Sequence, residues 1–490
     1  MAIINGTPGN DTREGTPGND QMYLEAGNDT AWGRAGNDKL DGGDGNDLLY
    51  GETGDDLVKG GKGDDTLTDG CSADTLFGGD GNDVLISGND YSWYNPTLDG
   101  GNGDDHLSAF VGLARGGNGN DLVEVYAGLA YGGIGNDILS LDYGHAFGEE
   151  GDDLIRTERN WGYAVLEGGT GNDRIEASAV GLTVIGGAGN DKITAACSEP
   201  YAEGAALSVQ GNDGNDLILL RGDDVPGGAL ADGGAGHDTV RGGNGSDIVL
   251  GGQGNDTADG ALGNDRVAGD LGDDRLYGRA GADLLEGGGG NDRIWGGEDG
   301  DTAVAGSGND TAHGESGNDT LSGEGGNDSL LGEAGNDRLI GGAGQDNLWG
   351  AAGADIVLGG DGNDSLAGGD GADTIIGGAG LDRLRGDGGM DRFVFDDADS
   401  GTGAAADRIV SFGALDVIDL SMIDARLSAP GDEAFSWIGS AAFSAAGQLR
   451  FIHSGADKII QGSTDGDATP ELEIVLRAYA DTPNAEDFLL

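Results

Sequence analysis

From Asp238 to Asp391 an Asp recurs every nine residues without a miss, 18 times in strict register. Five residues before each Asp stands Gly in 17 of the 18 units, with Ala305 the exception, and two residues before stands Gly in 17 of 18, with Asp299 the exception. Two residues after each Asp the side chain is apolar in all 18, from Val240 and Val249 to Leu384 and Phe393. The unit is therefore G-G/x-x-G-N/x-D-x-U-x, with U apolar. A nine-residue period of this composition predicts an all-β fold: a right-handed parallel β-roll whose turns bind calcium.

Elementary chemistry explains the residue types. The six residues from the first Gly to the Asp, as in Gly323-Glu324-Gly325-Gly326-Asn327-Asp328, suit a turn in which glycines permit positive φ. Their carbonyls stay open to a ligand, and the Asp adds the hard anionic oxygen that calcium prefers. The next three residues, as in Ser329-Leu330-Leu331, suit a short strand with its central side chain pointing inward. Two units close one coil, so coils stack at roughly 4.8 Å and each inward residue lies over its counterpart 18 positions away. One apolar residue in nine makes a thin core, and metal is expected to hold the turns.

The candidate calcium ligands in this array are Asp238, Asp247, Asp256, Asp265, Asp274, Asp283, Asp292, Asp301, Asp310, Asp319, Asp328, Asp337, Asp346, Asp355, Asp364, Asp373, Asp382 and Asp391. The period also runs through residues 1–86, where Asp29, Asp38, Asp47, Asp56, Asp65 and Asp83 are candidates. The units ending in Asp11 and Asp20 carry Thr7-Pro8 and Thr16-Pro17 in their turns and Arg13 at an inward position. They are expected to form a degenerate cap, because a solenoid end has no neighbour to pack on.

Residues 87–232 break the period. The turns persist at Asp105, Asp121, Asp137, Asp153, Asp173, Asp191 and Asp216, spaced by about one full coil, with strand-like segments such as Ala109-Phe110-Val111-Gly112-Leu113-Ala114 between them. This predicts an irregular β-solenoid with calcium turns along one edge only. The stretch holds 7 of the 11 tyrosines, among them Tyr91, Tyr94, Tyr126, Tyr131, Tyr143, Tyr163 and Tyr201, together with Trp93 and Trp161. Packing on the uncalcified side is the expected role for these rings; sugar stacking is the alternative. The regular roll spans 233–395. Over 396–490 Gly becomes rare, and Ile409-Val410-Ser411-Phe412, Leu449-Arg450-Phe451-Ile452 and Leu472-Glu473-Ile474-Val475-Leu476 suit strands of a β-rich cap over the open end of the roll.

With 25 basic and 89 acidic residues the net charge is −64, which excludes nucleic acid as a partner and opposes collapse of the chain unaided. One ion between each pair of stacked turns amounts to about 29 calcium ions, whose charge of about +58 nearly cancels that excess. No run of 18 apolar residues predicts a transmembrane segment, and Met1-Ala2-Ile3-Ile4-Asn5-Gly6 lacks the features of a cleaved leader. Cys71 and Cys197 do not make a disulfide framework and are expected to be incidental thiols.

The nonapeptides resemble the RTX, or haemolysin-type, calcium-binding repeat across nearly all of residues 5–395. The C-terminal segment resembles the domain that ends the serralysin-type secreted proteins of Gram-negative bacteria. Asp391-Arg392-Phe393-Val394-Phe395, Asp407-Arg408-Ile409-Val410-Ser411-Phe412, Asp416-Val417-Ile418-Asp419-Leu420-Ser421, Phe435-Ser436-Trp437-Ile438-Gly439, Gly447-Gln448-Leu449 and Asp487-Phe488-Leu489-Leu490 carry that likeness. The resemblance implies export by a type I secretion apparatus through an uncleaved C-terminal signal, an extracellular location, and folding on meeting calcium. It also implies that turn carbonyls and the Asp carboxylates of adjacent coils surround each ion, pairing Asp328 with Asp346 and Asp337 with Asp355.

The serralysin zinc motif is missing: His106, His145, His237, His313 and His453 are scattered and none is followed by Glu. No G-x-S-x-G, P-loop or CxxC pairing occurs either. The expected function is therefore that of a non-catalytic calcium-binding rod of the cell surface or matrix. The alternative is a polysaccharide-binding or polysaccharide-active protein using residues 84–232. Ice binding is disfavoured, because the third turn position (Ala235, Asn244, Gln253, Leu262) holds no Thr in the 18 units.

Overall fold

The computed structural model describes residues 1–88, 95–157, 162–197, 206–222, 228–396, 402, 406–423, 425, 434–465, 467 and 469–490. The insertion around Tyr91, Trp93 and Tyr94, together with Trp161 and Tyr201, lies outside the described residues. Two compact units form, Met1–Ile248 and Val249–Leu490. That division falls inside the regular array rather than at the composition breaks near 86, 232 and 395.

Each unit is a parallel β-roll. In the first, strand Lys39–Asp44 pairs parallel with Leu57–Lys62, and that strand with Thr75–Asp80, so that Leu40, Val58 and Leu76 stack in register. On the opposite side of each coil Leu49 lies over Leu67 and Leu67 over Leu85. All six are completely or almost completely buried, which makes the expected two-row core. In the second unit one row runs Leu321, Leu339, Val357, Ile375 and Phe393, and the other Leu330, Leu348, Leu366 and Leu384, each over its neighbour 18 residues on.

The middle stretch keeps the same two rows with one turn per coil. Strands His106–Asn118, Leu122–Ile134 and Ile138–Glu150 run 13 residues from one Asp turn to the next. They pair parallel 16 residues apart and pass through Gly112, Gly128 and Gly144 at φ of 121° to 140°. A Cβ on Gly128 would lie 2.0 Å from the Gly112 carbonyl oxygen, so the coils can stack at this point only through glycine.

The C-terminal segment continues the second unit and covers its last coil. Asp407–Ser411 pairs with Leu472–Leu476, placing Ile409 between Leu384 and Leu476. Val417–Asp419 pairs with Phe488–Leu489, placing Ile418 between Phe393 and Phe488. Asp457–Ser463 pairs antiparallel with both Gln448–Ser454 and Leu472–Leu476. An otherwise open edge is thereby paired.

Turn geometry sorts the two glycine positions by φ. The second turn position is left-handed but accepts side chains: Glu25, Arg34, Glu52, Ala261, Arg279, Glu324 and Glu333 sit there at φ of 67° to 86°. The fourth position reaches 132° at Gly45, 146° at Gly335 and 158° at Gly371, a region open essentially to glycine alone. A Cβ on Gly335 would also lie 1.3 Å from the Gly317 carbonyl oxygen. Gly335→Ala is therefore expected to destabilise the calcium-loaded protein by more than about 3 kcal/mol. Glu324→Ala, at an already left-handed second position, should change stability by less than about 1 kcal/mol. Denaturant midpoints of the two variants in calcium check the contrast.

Candidate metal centre

Each turn ends in an Asp placed at the start of a strand, where its carboxylate folds back under the turn. One carboxylate oxygen is used between coils: the backbone N–H of Asp319 donates to Asp337 Oδ1 at 2.9 Å, that of Asp337 to Asp355 at 2.8 Å, and that of Asp355 to Asp373 at 2.9 Å. The same bond joins Asp29 to Asp47, Asp105 to Asp121, and Asp191 to Asp216 despite their spacing of 25 residues. The Asn before the Asp makes an opposing ladder, since Asn327 N–H donates to Asn309 Oδ1 at 2.9 Å and Gln345 N–H to Asn327 Oδ1 at 2.8 Å. This accounts for the prevalence of Asn at the fifth position.

The second carboxylate oxygen is different. At Asp47, Asp65, Asp121, Asp173, Asp310, Asp337, Asp355 and Asp373, among many others, Oδ2 is buried and accepts no hydrogen bond. It lies against the first glycine of its own turn and the first-position carbonyl of the next coil. A Cβ on Gly332 would sit 2.3 Å from Asp337 Oδ2 and 2.8 Å from the Gly350 carbonyl oxygen, and Gly314 and Gly323 repeat the arrangement. The carboxylate thus leaves little room for a side chain at the first position, where the regular array has glycine in every unit but the one with Ala305. A buried anionic oxygen without a donor costs more than any hydrogen bond in the turn returns, and the row repeats that cost every coil. Burial, reinforced by neighbouring carboxylates, lifts the carboxyls of Asp56 and Asp105 to about 8, those of Asp65, Asp121, Asp153 and Asp301 to about 7, and those of Asp328, Asp355 and Asp364 to about 6.

The donor set, carboxylate plus carbonyl oxygens and no nitrogen or sulfur, suits a hard divalent cation. The RTX calcium-binding nonapeptide repeat family matches residues 5–91, 165–179, 183–196 and 230–393, more than half of the chain. The chain belongs to this RTX repeat family. Its nonapeptide repeats bind calcium ions in many copies. No curated protein matches the chain. Among solved structures, the solution structure of the AlgE6R3 subunit from the Azotobacter vinelandii mannuronan C5-epimerase is similar over 31% of this chain and 80% of that one, at 29% identity and a TM-score of 0.23.

Not every RTX turn leaves its Asp oxygen open. At Asp20 the Thr16 N–H and hydroxyl donate to Oδ2 at 2.6 and 2.8 Å, and at Asp11 the Thr7 N–H and hydroxyl do so at 2.5 and 3.0 Å. Backbone donors hold both carboxyls below their ordinary value, Thr7 N–H at Asp11 and Ala2 and Thr16 N–H at Asp20. These two cap turns do with Thr what the regular turns leave to a cation. The turn at Asp247 is closed in a related way, the Gly243 N–H donating to Oδ2 at 2.8 Å. Asp247 therefore differs from the other expected ligands: its turn already supplies a donor, because Gly243 stays outside the positive-φ set that turns the second N–H of a regular turn away.

The structure also extends the rows beyond the period. Asp74, which stands in the nine-residue frame but was not among the expected ligands, is buried and accepts the Asp56 N–H at 2.6 Å. Asp407 and Asp416 continue the rows, accepting the N–H of Asp382 at 2.8 Å and of Asp391 at 3.1 Å. Their spacing of 25 residues hides them from a nine-residue frame. In Asp416 the second oxygen again has a donor, Gly413 N–H at 2.6 Å.

Two outcomes follow for the Asp rows. Removing one open carboxylate by Asp337→Asn should lower the number of bound calcium ions by at least one, whereas Asp20→Asn should leave it unchanged; equilibrium dialysis reads both. The pH dependence has a definite sign without metal. Carboxyls raised to about 6 to 8 in the folded state, against 3.8 at their ordinary value, take up protons on folding. Their contribution to stability is fully present below about pH 4 and is lost as pH rises through about 6 to 8. In chelator, acidification from pH 8 to 4.5 should therefore restore β structure by circular dichroism, while in calcium the same acidification should weaken metal binding.

Proposed function

We propose that this RTX chain is a secreted, non-catalytic surface or matrix protein, exported unfolded by a type I system and folded by extracellular calcium. The observation that carries the reading is the row of buried Asp oxygens without donors, repeated coil after coil. In the cytosol, where free calcium is far below the ~10⁻⁴ to 10⁻³ M affinities of extracellular modules, those carboxylates oppose stacking. The net charge of −64 adds to the same repulsion. Outside, each ion completes a turn pair, so metal binding and folding are one process. The likeness of the C-terminal segment to the serralysin-type domain supports export through a C-terminal signal.

A second reading, polysaccharide binding by residues 84–232, has an open groove of about 440 Å³ in its favour, lined in part by Asp99, Arg115, Tyr131, Ile134 and Glu149. The described aromatic rings of this stretch speak for packing. Phe110 stacks on Tyr126 at 4.6 Å, Tyr131 stacks on Phe147 at 4.8 Å, and the Arg115 guanidinium covers Tyr131 at 5.4 Å, so ring faces that a sugar would use are taken.

The test is a calcium titration at pH 7.5. In chelator the far-ultraviolet spectrum should be that of an unfolded chain, with β signal appearing cooperatively near 10⁻⁴ to 10⁻³ M calcium. A full β spectrum in chelator at this pH sinks the folding switch.

A further inference from the structure

One outer face of the second unit carries a ladder of side chains, one per coil, and the ladder has a missing rung. In register it runs Tyr277, Trp295, His313, Leu331, Trp349, Ala367 and Arg385. Where planar groups occupy successive rungs they fill the coil spacing: Tyr277 stacks on Trp295 at 4.7 Å with the planes 8° apart, and Trp295 on His313 at 6.0 Å with the planes 11° apart. Trp349 has Leu331 on one side, but on the other the rung is only Ala367. Trp349 as a whole remains 48% exposed and makes no ring contact among the described residues, although it stands in the middle of an ordered roll.

From Trp349 to Arg385 is two coils, about 9.6 Å at the usual strand spacing. A ring in contact with both needs about 3.5 to 4.0 Å on each face, so the gap above Ala367 takes one ring and no more. The rim is polar: Asn347, Ser365 and Arg383 stand in register beside the three rungs and are exposed. Arg385 is held by Asp387, its guanidinium donating to Oδ1 at 2.8 Å. An apolar platform on one side with amide, hydroxyl and guanidinium groups around it matches a ring that has an apolar face and hydroxyl-bearing edges. A partner's aromatic side chain would use the platform and leave the polar rim without partners.

We propose that the missing rung between Trp349 and Arg385 is a binding slot for one pyranose ring of an extracellular glycan. Trp349 supplies the stacking surface, Ala367 the floor, and Arg385, Arg383, Asn347 and Ser365 the hydrogen-bonding groups toward ring hydroxyls or a ring carboxylate. The slot depends on the calcium-loaded roll but not on the polysaccharide reading of residues 84–232, since it lies in the regular array.

The experiment uses the full chain in calcium with two probes, cellopentaose and a galacturonate pentamer, and measures binding by calorimetry. Wild type should bind at least one of them. Trp349→Ala should weaken that binding at least tenfold, and Ala367→Trp, which fills the rung with the protein's own ring, should do the same. Glu324→Ala, at a turn position outside the slot, should bind as wild type does. Circular dichroism in calcium confirms the roll in each variant, so loss of binding is separable from loss of fold. Binding of neither probe, or binding that survives Ala367→Trp in a folded roll, overturns the proposal.

Discussion

The second oxygen of each turn Asp is the constraint on which the rest of the structure depends. The first oxygen is satisfied by the backbone of the preceding coil, as at Asp337, and that bond holds the carboxylate in place under the turn. The other oxygen is then buried against its own glycine with no donor. A fold that buries so many like charges in rows is unfavourable by itself, and a bound cation offsets part of that cost by supplying charge and coordination together. The apolar rows decide which way the strands face, but one inward residue in nine leaves them unable to hold the coils alone.

The same logic explains the turns that differ. Thr7 and Thr16 close the first two turns with their own N–H and hydroxyl groups, so these carboxylates have donors within the protein. The second turn position acts as the selector. At positive φ its N–H points away from the Asp and the oxygen stays open; at Thr16 or Gly243 the N–H points inward and the oxygen is satisfied. In these turns a satisfied oxygen thus goes with a second position outside the positive-φ region.

Much of this was legible in the residues. The nine-residue frame identified the β-roll, the inward Leu, Ile and Val positions and nearly every Asp of the rows, because strand period and coil length are both set by backbone geometry. The nine-residue frame ends where chain length between turns changes. Asp407 and Asp416 rejoin the rows after 25 residues, and no frame count connects them to Asp382 and Asp391. Asp247 looked like its neighbours although its turn closes on itself.

By itself the sequence determined the repeat, the two-row core and the chemistry of the ligand, since glycine at fixed positions, a carboxylate every ninth residue and an apolar residue two further on leave one economical fold. Only the tertiary structure decided which carboxylate oxygens are left without a donor and which side chains share a rung. Both depend on what the next coil places 18, 20 or 25 residues away. Trp349, Ala367 and Arg385 are unremarkable in the chain, and the gap they form exists only because stacking sets them one above another.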